Sequence, residues 1–254
     1  MASYFVTGSS RGLGLGLVSL LAARPDSEVS KVFASARSET PALQKLSAES
    51  GGRVEFVQLE VTSQESMQKA AGQVEHALAG KGLDVLINNA GVADYVPDGI
   101  SAMTTATLED TFKVNVTGVH IVTSALLPLL EKGAVKKVIN VSSTMGSVAM
   151  SPSFAWAPTP AYKISKAALN MLTAQYAQAV ADKGFTVVAL SPGWIKTDLG
   201  SANADLTIEQ GSSATLDIVL RVKEADNGKF FNVHVPGWEN AKGPNKYDGA
   251  EVPW

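Results

Sequence analysis

The sequence predicts an α/β fold in which a doubly wound, seven-stranded parallel sheet carries helices on both faces. Short runs rich in β-branched residues alternate with longer segments of helical period, and this alternation favours right-handed βαβ units. Several runs are apolar almost throughout, such as VLIN at 85–88, which is typical of strands covered on both faces. Because no linker or internal repeat interrupts the pattern, we expect one domain over 1–254, with 236–254 as a C-terminal tail.

The individual elements follow from these periodicities. The predicted strands are Tyr4–Thr7, Lys31–Ala36, Arg53–Leu59, Leu83–Asn88, Val135–Ser142, Phe185–Ser191 and Phe230–Val235. The predicted helices are Gly12–Ala23, Ser63–Ala79, Thr107–Glu131, Thr159–Lys183 and Thr207–Val222. Segment 143–160 and the tail are rich in Pro, Gly, Ser and aromatic residues, which predicts loops.

Composition excludes several classes of protein. Cysteine is absent, and the three histidines, His76, His120 and His234, are far apart, so neither disulfides nor a metal site are expected. The net charge of -3 and the lack of a basic block argue against a nucleic-acid partner. The first apolar stretch is too short for a signal peptide, and no apolar run approaches the roughly 20 residues of a membrane span. We therefore expect a soluble, cytoplasmic protein without membrane contact.

A glycine cluster, TGSSRGLG at 7–14, lies between the first predicted strand and the first predicted helix. Glycines let the backbone approach a pyrophosphate, which the free N–H groups of the helix N-terminus then bind. The Gly-x3-Gly-x-Gly spacing alone is a weak signal, since such turns also serve plain strand–helix packing. Its position at the first βα turn favours a dinucleotide site and hence a Rossmann fold.

The residues that end the second predicted strand indicate which dinucleotide binds. An acid about 20 residues past the glycines would bind the adenosine ribose 2′-hydroxyl, but Ala36 stands there. Arg37 follows it and Arg11 lies in the glycine loop, and two guanidiniums suit a 2′-phosphate. The sequence therefore favours NADP(H) over NAD, the alternative being two solvated surface arginines.

Tyr162 and Lys166 are four residues apart on a predicted helix, so both side chains point the same way. A lysine beside a phenol lowers the pKa of the phenol and makes it a general acid or base. Such a spacing also arises by chance as a solvated pair. Its context favours function: Ser142 and Ser143 end the fifth predicted strand, where ligands bind, although a serine pair also serves turns.

Asn115 lies within an apolar helical stretch, where asparagine has poor helix propensity. It either bends the helix through a polar contact or serves a site, and we favour the site because local misfits mark functional places.

Together these residues resemble the short-chain dehydrogenase/reductase superfamily, in its single-domain branch with an active-site Tyr-x3-Lys. The resemblance covers Ser3 to Val235. It rests on TGSSRGLG at 7–14, NNAG at 88–91, Asn115, VSS at 141–143, YKISK at 162–166 and SPGWIKTD at 191–198.

The resemblance implies roles for individual residues. Tyr162 would be the acid/base, Lys166 would lower its pKa and hold the nicotinamide ribose, Ser143 would orient the carbonyl, and Asn115 would keep a water for proton relay. Cofactor contacts are implied for Gly8, Ser10, Arg11, Gly12, Leu13, Gly14, Arg37, Glu60, Val61, Asn89, Ala90, Gly91, Tyr162, Lys166, Pro192, Gly193, Ile195 and Thr197.

Two departures from the family's pattern stand out. Glu60 replaces the usual Asp at the adenine, so its longer carboxylate or the backbone of Val61 would serve there. Ser143 and Tyr162 are 19 residues apart, longer than the commonest spacing, with the extra residues in 145–160. This insertion and the tail are similar to the sniffer, C-factor and norsolorinic acid ketoreductase-like subgroup.

The expected reaction is hydride transfer from NADPH to a ketone, with Tyr162 as proton donor. Apolar pockets bind apolar or aromatic ligands, and no Arg or Lys occurs within 145–159, so we expect an aromatic or polyketide-like ketone. Its pocket would be lined by Tyr95, Val96, Met145, Met150, Phe154, Trp156 and Trp194.

Two alternatives remain. One is a non-catalytic NADP(H)-binding sensor or scaffold, and the other is alcohol oxidation with NAD, which would need an acid near Ala36 that is missing. The helices at 107–131 and 159–183 would form a homodimer face, with a tetramer as the alternative. The tail would cover its own active site or reach a neighbouring subunit.

Overall fold

The computed structural model describes every residue from Met1 to Trp254. Its seven strands form one parallel sheet in the order β3-β2-β1-β4-β5-β6-β7. They are β1 (Ala2–Thr7), β2 (Val29–Ala36), β3 (Val54–Gln58), β4 (Val85–Asn88), β5 (Lys137–Val141), β6 (Thr186–Ser191) and β7 (Phe230–Asn232). The predicted doubly wound parallel sheet is confirmed.

The helices are α1 (Gly12–Ala22), α2 (Pro41–Glu49), α3 (Gln64–Leu78), α4 (Thr105–Phe112), α5 (Val119–Lys132), α6 (Pro160–Ala179) and α7 (Ile208–Arg221). The sequence did not predict α2. Only Leu43 is buried in this helix, so the sequence there lacks the apolar stripe that indicates an amphipathic helix. Its cap was a readable signal: Thr40 Oγ1 accepts from the Leu43 N–H, and Pro41 opens the helix.

The side chains of each strand alternate between two cores, one on each face of the sheet. Along β1, Tyr4 and Val6 belong to a core cluster of 27 buried residues that includes side chains of α1, α2 and α7. Phe5 between them belongs to a second cluster of 19 buried residues, shared with α3, α5 and α6. This alternation is what a sheet covered on both faces requires.

One long helical rod, Thr105–Lys132, joins α4 to α5 through a π-helical segment, Lys113–Gly118. By length and composition this rod of 28 residues is apolar enough to cross a membrane, so the expectation that no stretch reaches that length is wrong. In the structure 44% of its apolar window is buried. Val122, Leu126 and Leu130 pack in the second core cluster, which accounts for the apolar face without a membrane.

The chain changes direction across the sheet between β1 and β4, which are neighbours at its centre. β2 and β3 lie to one side of this pair, and β5, β6 and β7 lie to the other. In such sheets, ligands bind at the carboxyl ends of the strands where the order reverses. The glycine loop after β1 and the NNAG segment at the end of β4 therefore meet at this point.

The tail pairs with its own sheet. It runs antiparallel to β7 and the residues after it, with bridges between Phe231 and Glu251 and between His234 and Asp248. At Gly249, φ is +74° and a Cβ would lie 2.9 Å from the His234 Cβ, so only glycine fits the close approach. Within this one chain the tail therefore adds to the border of the sheet beside β7.

Candidate active site

The glycine loop after β1 packs tightly against the segment that follows β4. Gly8 has φ of +69°, and a Cβ there would lie 2.9 Å from the Ala90 Cα. A Cβ at Gly14 would collide with the Gly8 carbonyl oxygen. Both positions therefore require glycine, and the loop presents bare backbone at its surface.

The N-terminus of α1 has features that fit an anion. Its N-cap residue, Arg11, is extended and makes no side-chain cap, and the first turn holds no acidic residue. The first N–H groups of α1 are thus available to a phosphate, together with the positive end of the helix dipole. A Cβ at Gly12 would lie 3.1 Å from the Thr197 Cγ2, which places the loop after β6 beside this phosphate position.

Thr7, which sequence analysis did not select, connects the two loops. Its hydroxyl accepts from the N–H groups of Asn89 and Ala90, both at 2.9 Å. In return the Asn89 side-chain amide donates to the carbonyls of Thr7 at 2.9 Å and Gly8 at 3.2 Å. Asn89 and Ala90 are therefore held against the glycine loop.

The two arginines that were assigned to a 2′-phosphate differ in the structure. Arg11 Nε lies 3.1 Å from Asp198 Oδ2, with both side chains exposed. Arg37 follows the end of β2, is exposed and forms no ion pair. Arg37 is thus the freer guanidinium on the adenosine side, while Arg11 spans from the glycine loop to the loop after β6.

The residues expected near the adenine lie where β3 ends. Glu60 Oε1 accepts from the backbone N–H of Thr62 at 3.2 Å and from its hydroxyl at 3.0 Å. The longer carboxylate is therefore engaged in the turn before α3, with its second oxygen free of protein donors. Val61 packs in the same turn, against Gly118 of the π-helical segment.

Tyr162, Lys166 and Ser143 converge at the carboxyl end of β5. Lys166 Nζ lies 5.5 Å from the centre of the Tyr162 ring and donates to the Val141 carbonyl at 2.7 Å. The Ser143 side chain lies close enough to the Tyr162 phenol to lower its pKa, and its hydroxyl accepts from the Met145 N–H at 3.2 Å. The insertion between Ser143 and Tyr162 thus does not separate them.

Burial shapes the ionisation of both groups. It raises the pKa of Tyr162 to about 12, against a hydrogen bond from Ser143 that lowers it. It lowers the pKa of Lys166 to about 8. The net lowering of the phenol pKa that was expected is therefore not found, since desolvation of the charged forms dominates both pKa values. At neutral pH the phenol is protonated and the lysine is mostly charged.

Asn115 lies in the π-helical segment and joins it by hydrogen bonds to the loop after β4 and to α6. Its Oδ1 accepts from the Val92 N–H at 2.9 Å, and its amide donates to the Val92 carbonyl at 2.9 Å and to Ser165 Oγ at 3.0 Å. Both amide hydrogens are used, so its side chain can bind a water only through Oδ1. Such π-helical insertions are frequent at functional sites, which agrees with the misfit seen in the sequence.

Gly91 lies against the Asn115 side chain. A Cβ there would come within 3.2 Å of Asn115 Oδ1 and 3.7 Å of Lys166 Nζ. The structure thus brings the NNAG segment, Asn115 and Lys166 into one cluster.

The loop after β6 carries the residues expected at the nicotinamide. The Ile195 side chain is buried against Gly211 of α7, so only its backbone can face a cofactor. The Thr197 hydroxyl donates to the Ile195 carbonyl at 3.3 Å and accepts from the Gly200 N–H at 3.1 Å. Pro192 is half-buried and Gly193 has φ of +82°, which turns the chain beside the sheet edge.

Trp156 and Trp194, both expected to line the substrate pocket, lie next to each other with tilted rings. The ring centres of Trp156 and Trp194 are 6.0 Å apart, and Trp156 is 58% exposed. Trp194 is fixed by its indole N–H, which donates to the Gly200 carbonyl at 2.5 Å. Tyr95 is exposed. The next residue, Val96, donates its N–H to the Pro158 carbonyl at 2.9 Å. Loop 92–98 therefore joins the insertion.

Two of the residues expected to line the pocket have other surroundings. Phe154 is 2% exposed and therefore packs inside the protein. Met150 packs against the small core cluster formed by Ala189, Phe230 and Val252, whereas Met145 is half-buried directly after the Ser143 turn. A lysine that follows the insertion in the chain also contacts it: Lys163 Nζ donates to the Phe154 carbonyl at 2.6 Å.

Asn170 is a second residue that sequence analysis missed. It lies one helical turn beyond Lys166 on α6, and it is buried beside the Ser143 turn. The Tyr162, Lys166, Asn170 spacing of four was a readable signal, because residues four apart share one face of a helix.

Comparison with known sequences decides the family. The sequence model of the short chain dehydrogenase family matches residues 3–206. The chain belongs to the short-chain dehydrogenase family. This confirms the resemblance read from the motifs and with it the expectation of an oxidoreductase. The match ends at residue 206, before β7 and the tail.

Curated relatives of this short-chain dehydrogenase match either nearly its whole length or about two thirds of it. An uncharacterized oxidoreductase of Schizosaccharomyces pombe is 33% identical over 273 residues, covering 99% of this chain and 97% of the relative. The C-signal protein of Myxococcus xanthus is 36% identical over 172 residues, covering 68% of this chain and 93% of the relative.

Solved structures agree with these sequence relatives. NADPH-bound carbonyl reductase from chicken fatty liver has a TM-score of 0.86 at 32% identity, covering 100% of this chain and 99% of that one. Carbonyl reductase Sniffer of D. melanogaster has a TM-score of 0.87 at 29% identity and covers both chains fully, at 100% each. The similarity to the sniffer and C-factor subgroup is thereby confirmed.

Proposed function

We propose that this short-chain dehydrogenase is an NADP(H)-dependent carbonyl reductase that reduces a ketone to an alcohol. The observation that carries the proposal is the convergence of Ser143, Tyr162 and Lys166 beside a glycine loop, at the carboxyl edge of the sheet. A dinucleotide and a carbonyl compound would meet there.

The residues present fit the proposed cofactor. The glycine loop forms a surface that a Cβ would fill, and the N-terminus of α1 offers uncapped N–H groups to a pyrophosphate. Arg37 is exposed without an ion pair and follows β2, where a 2′-phosphate would lie. The NADPH-bound carbonyl reductase among the similar structures supports the same cofactor. NADPH, when bound, supplies the hydride.

Tyr162 would donate its proton to the carbonyl oxygen as negative charge develops there. Its pKa of about 12 keeps the phenol protonated at neutral pH, which is the form that reduction requires. Ser143 would donate a hydrogen bond to the same oxygen, since its side chain lies close enough to the Tyr162 phenol to influence its pKa.

Lys166 and Asn115 would prepare the site for this proton transfer. The Lys166 ammonium lies beside the Tyr162 ring, where its charge stabilises the phenolate that the reaction leaves. Asn115 is held by hydrogen bonds to Val92 and Ser165, and the water assigned to it would complete the path for the returning proton.

The substrate class follows from the walls of the site. Trp156 presents an exposed indole 6.0 Å from that of Trp194, and aromatic faces favour flat apolar ligands. The one ammonium that reaches the insertion, that of Lys163, is bound to the Phe154 carbonyl. We therefore propose an aromatic or polyketide-like ketone rather than a keto acid as the substrate.

A spectrophotometric assay tests the proposal. Purified protein is mixed with NADPH or NADH and a matched pair of ketones, one aryl ketone and one keto acid, and cofactor oxidation is followed. We expect turnover of the aryl ketone with NADPH and much slower turnover with NADH. Preference for the keto acid would overturn the substrate class. Tight NADPH binding without turnover of any ketone would favour the sensor reading instead.

A further inference from the structure

The tail contacts the loop after β6 through one buried tyrosine. The hydroxyl of Tyr247 accepts from the Trp194 N–H at 3.1 Å and donates to Asp205 Oδ2 at 2.6 Å. Asn245 donates to the same carboxylate oxygen at 2.8 Å. The hydroxyl therefore ties together both ends of segment 194–205, which begins just after Pro192 and Gly193.

The fit around Tyr247 is close. The side chain is 3% exposed, and its ring lies 5.3 Å from that of Trp238. A Cβ at Gly193, where φ is +82°, would approach the Tyr247 ring to 3.1 Å. Burial and the Asp205 carboxylate both raise the pKa of Tyr247, so the hydroxyl stays protonated and able to donate at neutral pH.

The last residues of the sequence contact the other loop of the site. Ser147 Oγ donates to the Pro253 carbonyl at 2.5 Å, and the Ala149 N–H donates to the Trp254 oxygen at 3.2 Å. The Trp254 ring stacks on Phe230 of β7, with ring centres 5.4 Å apart. One segment, 247–254, thus holds both the loop after β5, which carries Ser143, and the loop after β6, which carries Trp194.

We propose that Tyr247 is a positioning residue for hydride transfer, because it fixes the loop after β6 relative to the Ser143 loop. The inference rests on the proposed function, in which the first loop faces the nicotinamide and the second holds the carbonyl. Hydride transfer depends steeply on the distance between the reacting carbons, so a small displacement between these loops slows the reaction. Without the hydroxyl, the Trp194 N–H loses its acceptor and Asp205 Oδ2 keeps only the hydrogen bond from Asn245.

Tyr247→Phe removes only this hydroxyl and leaves the ring against Trp238. We expect kcat for ketone reduction to fall about tenfold and the Kd for NADPH to rise severalfold, since a lost hydrogen bond changes an equilibrium about two- to tenfold and misplacement adds to the kinetic effect. Binding is followed by fluorescence of the bound cofactor, which is independent of turnover.

Two control variants separate positioning from stability. Trp238→Phe weakens the packing of the tail but keeps the hydroxyl, and Tyr176→Phe removes a hydroxyl that bonds His120 outside the site. Both should lower the unfolding midpoint without changing kcat or the NADPH Kd. Wild-type kcat and Kd in Tyr247→Phe, or an equal fall of kcat in Trp238→Phe, would overturn the inference. If the wild type reduces no ketone, the proposed function fails, and the Kd comparison alone decides the role of Tyr247.

Discussion

Asn170 Oδ1 accepts a hydrogen bond of 2.6 Å from the hydroxyl of Ser142, the residue directly before Ser143. The amide nitrogen of the same side chain donates to the Gly146 carbonyl at 3.3 Å. A Cβ at Gly146 would lie 2.6 Å from the Lys166 Cβ, so the turn is pressed directly against α6. Asn170 thus fixes both ends of the turn that presents the Ser143 hydroxyl.

Substituting Asn170→Ala should therefore lower kcat about tenfold, because a freed turn no longer holds Ser143 against Tyr162. A double-mutant cycle with Ser142→Ala measures the link. If the two residues act through one hydrogen bond, the double variant should lose little more activity than either single variant. Strictly additive losses would show that Asn170 acts by another route.

Tyr162→Phe should reduce turnover by about 10²- to 10⁴-fold, the range that general acids contribute. NADPH affinity should remain near that of the wild type, since the ring and its surroundings are kept. The measurement is kcat beside a Kd from fluorescence titration. Substantial residual turnover would mean that another group donates the proton.

The pH profile of reduction should report Lys166. Its pKa of about 8 predicts that kcat/KM is level below pH 8 and falls above it, as the ammonium that stabilises the phenolate loses its proton. Tyr162, with a pKa of about 12, stays protonated throughout this range. A rate that climbs between pH 8 and 9 would contradict this assignment.

The contribution of Lys166 to the free energy of unfolding should increase with pH, whereas its contribution to the reaction rate should decrease. Because burial lowers the folded-state pKa of Lys166 to about 8, below its usual value of 10.5, the unfolded chain binds more protons than the folded protein between about pH 8 and 10.5. The contribution of Lys166 to the free energy of unfolding therefore increases with pH across this window. Comparing denaturation midpoints of the wild type and Lys166→Met over this range isolates it, since the variant should lack that increase.

Cofactor choice should depend on Arg37 more than on Arg11. Arg11 is paired with Asp198, whereas Arg37 has no ion pair to give up. Arg37→Ala should raise KM for NADPH about tenfold or more, as expected for loss of a charge-assisted hydrogen bond, and leave KM for NADH nearly unchanged. Arg11→Ala is the matched comparison. Equal losses with both cofactors would place Arg37 away from the 2′-phosphate.

The motifs predicted the site better than they predicted its supports. Tyr162, Lys166 and Ser143 were predictable because their spacing and strand-end position carry chemical meaning. Tyr247 was not, since its partners Trp194 and Asp205 lie 53 and 42 residues away, and a contact between loops leaves no period in the sequence. The pKa of Tyr162 was misjudged for a similar reason, because burial depends on packing that a motif does not encode.

The strand bounds differ from the prediction by a few residues at most ends, because apolar character continues beyond the hydrogen-bonded part. β7 shows this: the predicted strand ran to Val235, but the parallel pairing with β6 ends at Asn232. Beyond that point the Val233 N–H still donates to Ser191 of β6, while the Val233 carbonyl accepts from the Gly249 N–H and the Val235 N–H donates to the Tyr247 carbonyl in the tail.

The pairing of the tail with β7 also affects how the protein behaves in concentrated solution. A strand at the border of a sheet leaves a row of N–H and C=O groups that can recruit a strand from another molecule. Here the Asn232 N–H donates to Ala250, and the Val252 N–H donates to Phe230, so this border is already filled from within. Removal of residues 247–254 would uncover it, and the resulting protein should aggregate through edge-to-edge association even where its core remains intact.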